Sequence, residues 1–185
     1  IYTSDHGDGH ASHHWNQKMT FYEEAINVPF IISWKGETRA GVIDEETLTS
    51  TGLDIFSTIL GFAGVPVPEN LHGIDMAPAA LAEPEGRSLP DRSYVVSEIN
   101  QLGGIKGRMV VTQDYKYMLF DSGENREQLF DRINDPGEMK PVTYDPDYRD
   151  QLLVHRNMLL DWDRKIGDKD FQPEGKFPEL PVAGE

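Results

Sequence analysis

Cysteine is absent from the 185 residues, which excludes disulfides, thiolate metal ligands, a cysteine nucleophile and any cofactor made from a cysteine side chain. Positive charge is scarce: 17 Lys and Arg stand against 32 Asp and Glu, giving −15 overall and a pI near 4.7. Nucleic acid is therefore not expected as a partner, because counterion release needs clustered cations. No apolar run approaches the ~20 residues that span a bilayer, and no basic-then-apolar leader precedes the first residues. A soluble chain without membrane contact is expected. There is no internal repeat and no Asn-x-Ser/Thr acceptor, and a cysteine-free chain survives in any redox compartment, so location stays open. An initiator Met is missing too. Ile1-Tyr2-Thr3-Ser4 reads as the end of a strand, so a truncated or processed chain is expected.

What is present suffices for a core: hydrophobic residues make up 38% and aromatics 10%, well above the composition of disordered chains. Residues 5–18, DHGDGHASHHWNQK, read as a loop. Thr20 with Glu23 three positions on has capping-box spacing and predicts a short helix. Val28-Pro29-Phe30-Ile31-Ile32-Ser33-Trp34 is a continuous apolar run, the pattern of a strand buried on both faces of a parallel sheet. Thr51 and Asp54 frame a second helix in which Leu53, Phe56, Ile59, Leu60 and Ala63 recur at helical spacing, until Gly64 and Pro66 stop it. Together these predict the last part of an α/β sheet domain over 1–86.

The character changes after Pro84. Ser93–Ile99, Arg108–Thr112, Lys116–Asp121 and Glu127–Arg132 are short runs rich in Val, Tyr, Phe and Met, with a tight turn at Gln113-Asp114. They predict a four-stranded antiparallel sheet. Asp145-Pro146 opens a long helix whose stripe, Tyr148, Leu152, His155, Leu159, Trp162 and Ile166, would cover one face of that sheet, with Gly167 ending it. This small α+β subdomain is expected over 87–169, and an extended tail over 170–185 with Pro173, Pro178 and Pro181.

Four of six histidines fall between positions 6 and 14. Asp5 and His6 follow a strand end and precede Gly7 and Gly9, where a sharp bend can turn both toward a crevice outside the sheet's carboxyl ends. A carboxylate suits a hard divalent cation and imidazole tolerates a wider range. The plainer alternative is a solvated loop, which is the preferred reading of His10 and His14. Gln101-Leu102-Gly103-Gly104-Ile105-Lys106-Gly107 reads as a flexible loop rather than a phosphate cradle, since no helix follows it. Tyr115 and Tyr117 flank Lys116 with period-two alternation and read as sheet-face packing.

In order and spacing, Ser4-Asp5-His6-Gly7, His13, Lys18, Phe21-Tyr22-Glu23-Glu24 and Val28-Pro29 resemble the metal-binding segment of the sulfatase family, in the alkaline-phosphatase superfamily. The resemblance continues through Leu53–Leu60 with Ala63-Gly64-Val65-Pro66, then Arg108–Thr112, Tyr115-Lys116-Tyr117, Gln128–Asp131 and Asn134-Asp135-Pro136-Gly137-Glu138. It implies the end of an alkaline-phosphatase-like mixed sheet domain followed by the family's small C-terminal subdomain. It also implies a divalent cation, usually calcium, held in part by Asp5 and His6. Lys18 would contact the sulfate group, and His13 would stand near the leaving oxygen.

The sequence departs from the family pattern in places. Ser12 stands where many relatives carry an acidic residue, and His10 and His14 are additional. The first Asp pair is absent, and so is the Cys/Ser-x-Pro-x-Arg motif from which the formylglycine nucleophile is made. The resemblance therefore implies the C-terminal third or so of a sulfatase. The expected partners are a sulfate ester and the missing N-terminal part, with self-association of the piece through the apolar face of Leu53–Ala63. The isolated chain is expected to be inactive. A phosphonate or phosphate ester hydrolase of the same superfamily and a non-catalytic metal-binding or interaction module are the alternatives. Acidic residues outnumber basic ones fourteen to five through position 92 and eighteen to twelve after it. Such an evenly acidic surface repels a highly sulfated polymer and favours a small or sparsely sulfated substrate.

Overall fold

The computed structural model describes residues 1–81, 91–101 and 103–180. The expected boundary at 86/87, Leu102 and Pro181 lie outside the described residues. In chain order the elements are β1 (Tyr2–Thr3), α1 (Glu23–Ile26), β2 (Phe30–Ile31), α2 (Thr51–Phe62) and α3 (Ala77–Leu81). There follow β3 (Val95–Asn100), β4 (Lys106–Val111), β5 (Tyr115–Phe120), β6 (Glu127–Asp131) and α4 (Arg149–Ile166). The chain divides into two compact units, one of residues 1–7 with 27–93 and one of residues 8–26 with 94 onward.

In the first unit β1 pairs antiparallel with β2, Tyr2 opposite Ile31 and Thr3 opposite Phe30. The expected long strand over 28–34, buried on both faces, is corrected: two residues pair, and Ile31 and Trp34 are 52% and 49% exposed. A single two-residue neighbour leaves its faces open, and Pro29 has no N–H to extend the ladder. Helix α2 has the expected extent, with Gly64 in the left-handed region at φ 66° just beyond it. It is packed through its polar side. Asp54 is fully buried and accepts from Ser50 N (2.7 Å), Ile74 N (2.8 Å) and both terminal nitrogens of Arg92 (2.6 and 2.8 Å). Thr58 Oγ1 accepts from Met76 N at 3.0 Å. The apolar stripe Leu53, Phe56 and Ile59 stays 46–55% exposed.

The second unit is built on the expected antiparallel sheet, ordered β3-β4-β5-β6. Pleating divides its side chains between two faces. Val110, Tyr117, Leu119 and Leu129 pack with Leu152 and Leu159 of α4, as the helix stripe predicts. Asp145 accepts from Asp147 N at 3.0 Å in a short 3-10 turn before α4, and Gly167 ends the helix at φ 67°. The tail is corrected from a plain extension. Phe171 is buried in the same cluster, Phe177 and Leu180 pack on it, and Pro173–Gly175 forms a 3-10 turn.

The opposite face of the sheet holds Met109, Val111, Met118 and Phe130, and it is filled by residues from far earlier in the chain. Phe21 is buried there, flanked by Tyr22 and Ile26. Helix α1 starts at Glu23, not at a Thr20 cap. The acceptor for the Glu23 N–H is Glu138 Oε2 at 2.9 Å, so a distant carboxylate does the capping that a local side chain was expected to do.

Candidate functional site

Asp5 and His6 lie just past β1. Ser4 Oγ donates to His6 O at 2.7 Å and bends the chain there. His6 Nδ1 is 2.7 Å from Gly7 O, so it carries a proton and donates, and Nε2 is 3.5 Å from Asp5 Oδ2. The imidazole beside it holds the Asp5 carboxyl below its ordinary value. A carboxylate oxygen and an imidazole nitrogen facing each other across that distance suit one shared cation: donors bound at ~2.3–2.6 Å sit about 3.3–3.6 Å apart on adjacent positions. A ligating histidine also commonly donates its other N–H to a backbone carbonyl, as His6 does. The pair fits a divalent cation as part of a ligand set. No group of three or more such side chains occurs among the described residues.

His13 and Lys18 belong to the second unit. Their loop is tightly wound: Gly9 N donates to Gln17 O (2.9 Å), Ser12 N to Gly9 O (2.7 Å) and Trp15 N to Ser12 O (2.8 Å). A Cβ on Gly9 would stand 2.7 Å from the Trp15 carbonyl oxygen, so only glycine fits there. His10, Ala11, His13, His14, Gln17 and Met19 all adopt φ between 46° and 78°, a run of strained non-glycine positions of the kind found at functional loops. His10 and His14 are exposed, in line with a solvated role.

His13 is held differently. Its side chain is 10% exposed and lies parallel to the Tyr22 ring, with centroids 3.8 Å apart, and Nε2 is 3.8 Å from Glu24 Oε2. Tyr22 OH reaches Gln128 Oε1 of β6 at 3.5 Å. Lys18 is exposed, with its carbonyl fixed by Trp15 Nε1 at 2.9 Å and the next carbonyl, Met19 O, by Gln101 Nε2 at 2.9 Å. Thus His13 and Lys18 share one ordered loop docked on the small sheet. Asp5 and His6 form their own pair in the other unit.

Sequence reasoning missed the groups that dock this loop. Gln101 was read as part of a flexible segment; its loop is a hairpin turn closed by Gln101 N to Ile105 O at 2.7 Å. Lys116 was read through its tyrosine neighbours. Tyr117 does pack on the α4 face, but Lys116 is fully buried on the other, between Glu23 and Glu138. Burial pushes the Glu138 carboxyl above its ordinary value, against the pull of Lys116. The available signal was a lysine inside the apolar strand Tyr115–Phe120 together with the carboxylates of Phe21–Glu24 and Asn134–Glu138.

The family described as N-sulphoglucosamine sulphohydrolase, C-terminal, matches residues 11–164. The Δ4,5-hexuronate-2-O-sulfatase of Bacteroides thetaiotaomicron is 39% identical over 166 residues, which is 88% of this chain and 34% of that protein. Among solved structures, a 2-O GAG sulfatase superposes with a TM-score of 0.81 at 34% identity, over 97% of this chain and 38% of the other. The phosphonate monoester hydrolase of Agrobacterium radiobacter gives 0.72 at 26% identity, over 89% of this chain and 34% of that one. The chain spans about a third of the length of these relatives.

Proposed function

The chain belongs to the sulfatase family, whose C-terminal part it matches over most of its length, and from that premise we propose that it is the C-terminal portion of an enzyme hydrolysing a sulfate ester on a small saccharide. The fold is the family's alkaline-phosphatase-like one, with the small antiparallel sheet and its C-terminal helix. The observation that carries the proposal is the loop that fixes His13 and Lys18 together on the sheet. Lys18 contacts a non-bridging sulfate oxygen and offsets the charge that grows there during S–O cleavage. His13, oriented by Tyr22 and Glu24, passes a proton to the departing alcohol oxygen. Asp5 and His6 contribute an oxygen and a nitrogen to a divalent cation, calcium by preference for the carboxylate. Bound there, the cation would supply Lewis-acid polarisation.

The nucleophile, a formylglycine made from Cys or Ser, comes from the part of the protein outside these residues, so this chain alone is inert. Two named relatives act on 2-O-sulfated uronate or glycosaminoglycan substrates by their descriptions. The net charge of −15 favours a short sulfated saccharide over a long polysulfated chain. A phosphonate or phosphate monoester is the second reading, favoured by the phosphonate monoester hydrolase likeness, because both substrates present a tetrahedral anion. The exposed stripe Leu53, Phe56 and Ile59 is the surface for the rest of the protein, or for a second copy when that is lacking.

The test is Lys18→Ala in the intact protein. Turnover of an aryl sulfate falls at least ~100-fold, the effect of losing one preorganised charge at the reacting group, while the melting temperature holds because Lys18 is exposed. Unchanged turnover removes Lys18 from the site. A larger loss on a phosphonate monoester than on the sulfate selects the second reading.

A further inference from the structure

The charged groups buried against α1 have no part in the chemistry above. Lys116 Nζ stands 2.5 Å from Glu23 Oε1 and also contacts Glu138 Oε1. The second oxygen of Glu138 accepts the Glu23 N–H at 2.9 Å, and Arg132 Nη2 is 3.7 Å from Glu23 Oε1. Two cations therefore meet two carboxylates, with Lys116 and Glu138 almost wholly out of solvent. Glu138 adopts φ 52°, held by its N–H on Asp135 O at 2.9 Å, so a strained turn aims its carboxylate at α1.

Stability alone is a poor reason for such a cluster, because burying charges is costly and apolar side chains of similar volume often serve as well or better. Registry is the better reason. Beneath α1 the face of the sheet is Met109, Met118 and Phe130, and methionine-rich surfaces accept several packings of an incoming aromatic ring. The ionic contacts can be satisfied at one position only. Glu23 is also next to Tyr22, whose ring stacks on His13, and five residues from Lys18. A slide at Glu23 displaces both.

We infer that Lys116 and Glu138 are positioning residues that, acting through Glu23, set where His13 and Lys18 stand. The consequence for turnover rests on the reading of that loop as the sulfate-binding element; the positioning itself does not.

The experiment compares Lys116→Met, Lys116→Arg and Glu138→Gln with the parent 185-residue chain by amide hydrogen exchange and by the ring-current shift of His13. In Lys116→Met, exchange at Glu23, Ala25 and Ile26 speeds at least about tenfold more than at Val110, Tyr117 and Leu129, the signature of local rather than global opening. The His13 shift moves toward that of a solvated imidazole, and Lys116→Arg restores most of both. Uniform acceleration throughout the sheet, or no change at 23–26, overturns the inference. Should Lys116→Met fail to fold, Glu138→Gln carries the same comparison. In the intact protein Lys116→Met lowers kcat for an aryl sulfate with KM little changed, and Lys116→Arg recovers it. If exchange behaves as stated while Lys18→Ala leaves turnover intact, the sulfate reading fails and the positioning stands.

Discussion

Replacing Glu127 by alanine tests whether the α4 side of the small sheet depends on one carboxylate. Glu127 is buried at the start of β6 and accepts from Arg156 Nε (2.7 Å) and Nη2 (2.6 Å), Tyr117 OH (2.7 Å) and Tyr144 OH (3.3 Å). Its removal leaves a buried guanidinium and a buried phenol without their acceptor. Breaking one side of such a pair costs about 3–5 kcal/mol, and a stranded hydroxyl adds ~1–3 kcal/mol. Arg156 retains Pro178 O at 3.0 Å and the face of Phe177 at 4.9 Å, which offsets part of the loss, so we expect about 4 kcal/mol. With a urea dependence of roughly 2 kcal/mol/M for a chain of this size, the unfolding midpoint drops by about 2 M. Urea titrations followed by circular dichroism and by tryptophan fluorescence read this directly. The combined replacement Glu127→Leu, Arg156→Met and Tyr117→Phe removes the buried partners, leaves only the half-exposed Tyr144 hydroxyl to water, and returns the stability to within ~1–2 kcal/mol of the parent. A Glu127→Ala cost below about 1 kcal/mol, or a triple variant no better than the single one, refutes the idea that unpaired charge dominates.

Two further outcomes follow from groups already described. His155 is buried on α4, with Nδ1 on Gln151 O at 2.7 Å and Nε2 3.3 Å from Thr112 Oγ1, and burial holds its imidazole below the ordinary 6.5. The unfolded chain therefore takes up a proton first, and stability declines as pH falls from about 6.5 toward the lower folded value, then levels. His155→Phe flattens that part of the stability profile in urea titrations between pH 7.5 and 5; an unchanged slope contradicts the assignment. The exposed apolar surface of Leu53, Phe56, Ile59, Ile31 and Trp34 predicts that the 185-residue chain associates with itself. Light scattering should give a mass above 20.9 kDa, and a monodisperse monomer with one cooperative melt counts against it.

The small subdomain was readable because its signals are local. Strand alternation from Val95 to Asp131, the Asp145-Pro146 start and the Gly167 stop each act within a few residues, and the structure follows them closely. Phe30–Ile31 was misjudged because an apolar run reports only that burial is wanted, not that covering layers are present among these residues. Thr20 misled because a local cap was assumed where Glu138 supplies the acceptor across more than a hundred positions. The loop of His13 and Lys18 was visible as a motif, but its support was not. Gln101, Gln128, Lys116 and Glu138 lie in other elements, and spacing along a chain carries no trace of contacts made through space.

Phe21 and the loop before it are made well before the surface that receives them, which is completed only once β6 and the turn at Glu138 exist. Residues 27–93, which pack elsewhere, are synthesised in between. A nascent chain must therefore carry the loop of His13 and Lys18 undocked while more than a hundred further residues are made, and the closing contacts span sequence separations that slow folding. Docking of the His13 and Lys18 loop is thus gated by residues more than a hundred positions downstream, so a chain stalled before position 138 lacks the carboxylate that caps α1.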